Sequence, residues 1–527
     1  MKIQALFNTR VLSMAALLGM AAALVSCSGE ETVQGEGGKT TETETDKNLT
    51  TFVADSPDTR TTMSNTGVFK WEAGDHIWVK DDNHTWQQSS NAPTSETASF
   101  KFMVPGKFTA GGSYTVYYPG KNGSQDRVSI SATQSQPEPN IPTDIGSKGD
   151  CGWATATAAT GTKRFNFTLD HKAAFLVFSP YCNNNPVIQN SYIKLTKIEV
   201  ISDKDLVGTY TLDPATNQLT SGTSTGTTIN LTTGGSATPN GFSVPTAATP
   251  ATNASYVVIK PGTHTLKVRF WLKDYVTNVE GTVTKEYPSF VYAANTYYSM
   301  PSELKVTNYT TPYYMWDAQK PYWYGHEWDS PTYTTGTDQP VLANQTGSAY
   351  PQSNADPRWC NDTYNGVGHM TSASQNPLFA SLLNANELSW YVMKGDPHWD
   401  GDELWTTMGH LYKGGLWLKK KDKINGFRSD KAADNTTDLR TKFTYFNNTP
   451  ASTTLTVSKQ ADYFYLPALG YYTSLGKLFH IGSAGYYHSS SGTPNSADNA
   501  YGIGFYSGAV YVNGGSRKNG NSLQAFK

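Results

Sequence analysis

The densest group of residues able to do chemistry is His398-Trp399-Asp400-Gly401-Asp402-Glu403. A His beside three acids offers oxygen ligands to Ca²⁺, or an acid/base pair for splitting a glycosidic bond. Calcium takes roughly 6–8 oxygens, more than one such stretch supplies. Glycoside hydrolysis needs two carboxylates about 5–10 Å apart across a cleft, a separation that a short run does not set. A solvated acidic loop is the simpler account. Trp390, Trp405 and Trp417 flank the run. Flat indole faces stack on the apolar face of a ring, while nearby carboxylates fix its hydroxyls. Trp390, Trp399, Asp400, Asp402 and Trp405 are therefore the candidate ligand-binding residues. Trp399 is expected to be the best exposed, and Trp417, in Gly414-Gly415-Leu416-Trp417-Leu418, to be core.

Other chemistry finds less support. His171 has no metal-ligand partner at a recognisable spacing and reads as a sheet residue beside Ala173 and Ala174. Gly120-Lys121-Asn122-Gly123-Ser124 lacks the spacing of a phosphate loop, and a Pro119-Gly120 turn explains it. Cys151, Cys182 and Cys360 contain no CxxC pair; they allow one disulfide, of unreadable connectivity, and rule out a Cys-ligated structural zinc. No Ser/His/Asp or Cys/His arrangement stands out. No catalytic residue, metal or cofactor is expected, and the chain is not expected to be an enzyme.

The elements that must hold these residues are strands. The chain has 527 residues and a net charge of −2, with only 16% charged residues, so a nucleic-acid partner is not expected. Its length suggests about three domains. Alternating runs such as His76-Ile77-Trp78-Val79-Lys80 and Tyr114-Thr115-Val116-Tyr117-Tyr118 lie between Gly/Pro turns, which predicts a mainly β fold. Three blocks emerge: 49–164, 165–307 and 308–527. Within the second, Thr211 to Thr252 reads as long Thr/Gly/Ser-rich loops, and Thr310-Thr311-Pro312 reads as a linker. Eight of the 13 Trp lie between Trp316 and Trp417, in the third block.

The first residues form an address. Lys2 and Arg10 precede an apolar run that ends Leu24-Val25-Ser26-Cys27, which resembles the lipobox of bacterial lipoproteins. The resemblance implies a signal peptide over 1–26, cleavage between Ser26 and Cys27, and lipidation of Cys27. Acyl chains on Cys27 would hold the protein at a membrane. Ser28-Gly29-Glu30-Glu31 resembles the acidic signal that places Bacteroidetes lipoproteins on the outer face of the outer membrane. Residues 27–48, almost without apolar side chains, read as a flexible tether.

Thr59-Arg60-Thr61 and Trp71-Glu72-Ala73-Gly74-Asp75-His76-Ile77-Trp78-Val79 resemble the opening of Bacteroides-type fimbrillins. Leu169-Asp170-His171-Lys172-Ala173-Ala174 and Leu206-Val207-Gly208-Thr209-Tyr210 are similar to later segments of that family, in the same order. The resemblance covers roughly 49–306. It implies two transthyretin-like β-sandwich domains in a cell-surface fimbrial subunit. It also implies assembly with other fimbrial subunits by donor-strand exchange, after a cut for which Arg60 is the candidate.

The third block resembles C-type-lectin-like modules of bacterial surface proteins. The residues that carry this are Phe464-Tyr465-Leu466-Pro467, Gly485-Tyr486-Tyr487-His488-Ser489-Ser490-Ser491, Ala500-Tyr501-Gly502-Ile503-Gly504-Phe505 and Arg517-Lys518-Asn519-Gly520. Trp359-Cys360-Asn361-Asp362 interrupts that family's calcium triplet. Together the resemblances imply a pilus tip or accessory subunit acting in adhesion at the outer membrane, with a mixed α+β lectin-like head that binds a host or bacterial surface glycan or protein. The alternative is a glycan-binding or glycan-processing lipoprotein of a nutrient-uptake system. Changing Cys27→Ala should abolish incorporation of a clickable fatty acid; undiminished labelling in that variant would refute the lipidation.

Overall fold

The computed structural model describes residues 49–54, 62–63, 69–363, 370–453 and 455–523. The signal segment with Ser26 and Cys27, the tether and Arg60 lie outside the described residues. The chain is mainly β, and among the described residues the longest helix is the ten-residue Ala385–Lys394. Among the described residues no helix is long and apolar enough to cross a membrane.

The first body is an eight-stranded sheet whose alternating apolar residues face one core. Its first strand, Leu49–Ala54, lies between two others. It pairs antiparallel with Phe100–Pro105 and parallel with Arg164–Phe167. Phe52 and Ala54 are fully buried, and the Phe52 ring stacks 4.9 Å from Phe165. The Trp71 to Asp75 segment is intelligible from its contacts. Trp71 sets its edge on Phe102 and Tyr118 in the core, and Gly74 takes φ +83, which favours glycine. Buried Asp75 accepts the Glu72 N–H at 2.6 Å and the Tyr118 hydroxyl at 2.9 Å, tying the turn to the sheet.

The second body has a main core under three sheets and a smaller cluster of Ile145, Phe175, Tyr256 and Val258 on the other face of one of them. The strands Ser255–Ile259, Ala174–Tyr181 and Thr296–Glu303 form one layer, and the long strands Ile193–Ser202, Gly262–Asp274 and Glu280–Tyr292 anchor another. Pairing crosses the division expected at 164/165. Arg164–Phe167 belongs to the first sheet, because 159–163 is a hairpin turn from Gly152–Ala158 and no linker. Conversely, Arg127–Ile130 and Thr133–Gln136 leave the first body and pair with Val207–Asp213 and Thr228–Thr233 of the second. The segment expected as loops, Thr211 to Thr252, contains the end of Val207–Asp213 together with all of Gln218–Gly226 and Thr228–Thr233. Its β-branched threonines favour extended backbone, and that preference outweighs the loop-like composition.

Gln134 and Gln136 close an edge without a strand. The Gln134 amide donates to the Val258 carbonyl and accepts its N–H; the Gln136 amide donates to Ala254 and accepts from Tyr256 N–H. Side-chain amides thus complete the ladder of Ser255–Ile259.

The third body holds two larger sheets around an aromatic core. One is built on the hairpin His398–Thr407 and His410–Lys419. The other contains Ala484–Gly492, Asn499–Tyr506 and Ala509–Ser516. Tyr313–Tyr314 pairs with Asn521–Ser522, so the start and end of the module meet. Helix Ala385–Lys394 opens on a capping box, with Asn384 accepting from Glu387 N–H and Glu387 accepting from Asn384 N–H. Thr310-Thr311-Pro312 is a short connector across a packed junction. Asn185 donates to the Val306 carbonyl and the Thr406 hydroxyl, and Leu404 and Leu411 enter the second body's core.

Arg517 fastens this module. It is 1% exposed, its guanidinium lies 4.2 Å from the Trp316 ring centre, and it donates to the carbonyls of Asn499, Asn361 and Met370. Changing Arg517→Ala strands these carbonyls and should cost about 3 kcal/mol or more. Thermal melting followed by tryptophan fluorescence should show that loss; an unchanged transition would refute the role.

Candidate functional site

The hairpin carrying the acidic run turns at Met408 and Gly409, both at positive φ, as a two-residue connection requires. Its ladder is in register from Thr407 back to Leu404, opposite Lys413, and resumes at Asp400, opposite Gly415. Gly401, Asp402 and Glu403 therefore bulge out against Gly414 alone. Asp400 caps this bulge. It is 5% exposed; one oxygen accepts the N–H groups of Asp402 and Glu403 at 3.1 Å each, and the other accepts the Trp417 indole N–H at 3.3 Å. The run is not a plain solvated loop: its first carboxylate is structural, and only Asp402 and Glu403 face solvent.

Glu403 is the perturbed acid of the bulge. Although the residue as a whole is exposed, its carboxyl is pushed up to about 7, first by loss of solvation and then by the charge of Asp400. Asp402 is exposed and lies 3.8 Å from the Lys413 ammonium, a pair worth little in water. Among the described residues no group of three or more His, Cys, Asp or Glu is placed to hold a metal ion.

The five candidate binding residues do not form one surface. Trp399, Asp400 and Asp402 share the hairpin. Trp399 is half-buried, its backbone N–H donating to the Ala451 carbonyl and its ring packed over Gly414. Trp390 and Trp405 need correction: both are core. Trp390 is 2% exposed, on the inner face of helix Ala385–Lys394, with its indole N–H on the Lys431 carbonyl. Trp405 is fully buried, stacks on Tyr412 at 5.3 Å and donates to the Gly414 carbonyl. Neither offers a free face, because strand alternation and the helix's inner stripe turn them inward. Trp417, expected in the core, is half-buried against Tyr465.

His171 is buried, 2.9 Å from a carboxylate oxygen of equally buried Asp150, whose carboxyl burial pushes up. Cys151, Cys182 and Cys360 are all buried and free, so none forms the disulfide the sequence allowed. Burial pushes the Cys360 thiol up to about 12.

A second depression was not anticipated as a site. It is a cavity of about 250 Å³ over Asn499–Tyr506 and its two neighbours, lined by Gly502, Gly504, Tyr486, Tyr511 and Asn513. Its signal in the sequence is the alternation Gly502-Ile503-Gly504, which puts bare backbone on one strand face.

No family model and no curated protein matches the chain. Solved structures similar to it include a candidate cell adhesion protein from Bacteroides ovatus, at 15% identity over 44% of this chain and 82% of that one, with a TM-score of 0.28. A fimbrial assembly protein from Parabacteroides distasonis is similar at 11% identity over 48% and 90%, with a TM-score of 0.25. A fimbrial protein from Bacteroides ovatus is similar at 11% identity over 90% and 98%, with a TM-score of 0.23.

Trp405→Ala should lower head stability by about 4 kcal/mol, as a buried aromatic does, and Trp399→Ala by clearly less. Equal losses in thermal melts of the two variants would place Trp399 in the core as well.

Proposed function

We propose that this protein is a surface-exposed fimbrial subunit of the tip or accessory kind. In this reading it acts in adhesion, is carried to the outer membrane as a lipoprotein on Cys27 and is assembled with other subunits by strand addition. The observation that carries the reading is the setting of Leu49–Ala54. This strand is inserted between Phe100–Pro105 and Arg164–Phe167 and gives Phe52 and Ala54 to the core. Arg60 follows it in sequence. A cut there would release a strand whose loss leaves two unpaired ladder edges and an apolar slot. Such a slot accepts a strand of alternating apolar residues from another chain.

The reading keeps two fimbrillin-like sandwiches, which exchange strands across their boundary, and a lectin-like head over 308–527. The meeting of Tyr313–Tyr314 with Asn521–Ser522 supports a closed module carried on the second body. The head, on this account, binds without catalysing. Both Asp400 oxygens are already engaged by the bulge and Trp417, which leaves the acidic run poorly suited to the two-carboxylate chemistry of the alternative, a glycan-processing lipoprotein.

Immunogold labelling with an antibody to the head should decorate filament ends or bases. Limited proteolysis after Arg60 should make the purified chain competent to associate, while Arg60→Ala keeps it monomeric. Surface labelling that never coincides with filaments would overturn the fimbrial assignment.

A further inference from the structure

We propose that the trough on the outer face of the head's C-terminal sheet binds a neutral pyranose ring. The inference stands apart from fimbrial assembly, since a sugar-binding head would suit either surface role. Its basis is the register of three antiparallel strands. Tyr486 stands opposite Gly504, which stands opposite Tyr511; His488 stands opposite Gly502, which stands opposite Asn513. Alternation puts these residues on one face, while Tyr487, Tyr501, Ile503, Phe505, Val510 and Val512 turn to the core.

The trough runs over Gly502, and the Tyr511 ring lies across Gly504 beside it. A Cβ at Gly504 would come within 2.6 Å of the Tyr511 ring, and one at Gly502 within 2.7 Å of the Tyr487 carbonyl oxygen. Any larger residue would therefore displace a wall or the next strand. On a strand, paired glycines forgo packing, and close approach of another group is one of the uses that compensates. The walls are aromatic. The half-buried Tyr486 and Tyr511 flank Gly504 from the two neighbouring strands, and Tyr471 sets its ring edge-on to Tyr486 at 4.8 Å. The far end is polar but neutral, with Asn513, Asn519 and Asn521 around the cavity.

That composition selects a ligand. Tyrosine rings give flat apolar surface at small entropic cost, and amides both donate to and accept from hydroxyls. Among the described residues no Lys, Arg, Asp or Glu lines the trough, so none of them compensates a phosphate, a uronate or a basic side chain there. The volume, about 250 Å³, falls below the roughly 300–1,000 Å³ of drug-sized sites and suits a single ring better than an extended peptide. The Trp399 hairpin takes no part in it.

The test uses the full mature chain with the methyl pyranosides of glucose, galactose, mannose, fucose and N-acetylglucosamine as probes, and sialic acid as the charged control. Saturation-transfer NMR and calorimetry should show saturable binding of at least one neutral pyranoside and none of sialic acid. Gly515→Leu is the decisive variant. Gly515 lines the trough, and a Cβ there meets nothing within 4 Å, so the side chain should obstruct the site without disturbing the fold. It should weaken binding by about tenfold or more at unchanged melting temperature, as should Tyr511→Ala, whereas Trp399→Ala should bind as the parent does. If no neutral pyranoside binds the parent chain, if sialic acid binds equally well, or if binding survives Gly515→Leu, the proposal is wrong. Should Tyr511→Ala fail to fold, Gly515→Leu alone decides.

Discussion

The head is organised around one buried cation. Arg517 sits at the end of the last long strand, and its guanidinium reaches three carbonyls from distant parts of the module, those of Asn361, Met370 and Asn499. Few side chains can satisfy three separated acceptors at once; the planar fork of Arg can, and its face covers Trp316 as well. Burial lowers its proton affinity, but charge-assisted hydrogen bonds offset the cost of removing it from water. Asp317, beside Trp316, does the converse and gathers the N–H groups of Ser374, Gln375 and Asn376 with the Asn361 amide. Described stretches with few strands, such as 315–363 and 370–376, are thereby held together by side chains. The trough depends on the same clamp, since Asn513 and Gly515 lie on the strand that runs into Arg517.

The bodies are joined by polar groups as carefully placed as those within them. At the junction, Asp274 is fully buried and accepts from the Leu411 N–H and His410. Burial pushes its carboxyl up, but hydrogen bonds from His410, Leu411, Val276 and Thr277 outweigh that and hold it below its ordinary value. The Tyr192 hydroxyl and the Asn190 amide both donate to the Gly409 carbonyl, so the head's hairpin turn is seated on the second body. A buried, paired carboxylate at an interface is costly to break by removing one partner, which makes the contact specific to this arrangement.

Much of the fold was legible where local pattern and burial agree. Trp71, Gly74 and Asp75 form one turn because each meets a separate local demand: core, positive φ and N–H acceptor. Strand alternation around Val116 and Ile77 was equally readable. What the sequence hid was long-range pairing. Nothing in Arg127–Ile130 says that it leaves its neighbours for Val207–Asp213, since either sheet would bury Val128 and Ile130. At the candidate site the acids around Asp400 were visible as a cluster, but a three-residue bulge, set by its partner strand, decides which carboxylate is spent on structure. Trp390 and Trp405 carried the right chemistry on inward faces. The trough escaped because glycine advertises only an absence; its meaning came from tyrosines two strands apart.

The interleaved strands have a mechanical consequence. Thr133–Gln136 runs parallel to Thr228–Thr233, and Thr307–Asn308 runs parallel to His398–Thr407. When tension is applied along such strands, their hydrogen bonds are loaded in shear and must break together, unlike a hairpin peeled open one bond at a time. Resistance to pulling is governed by the unfolding barrier, which that geometry raises, and not by equilibrium stability alone. Force applied to the third body would therefore load the strand pairs that tie it to the second body, and those that tie the second to the first, in shear.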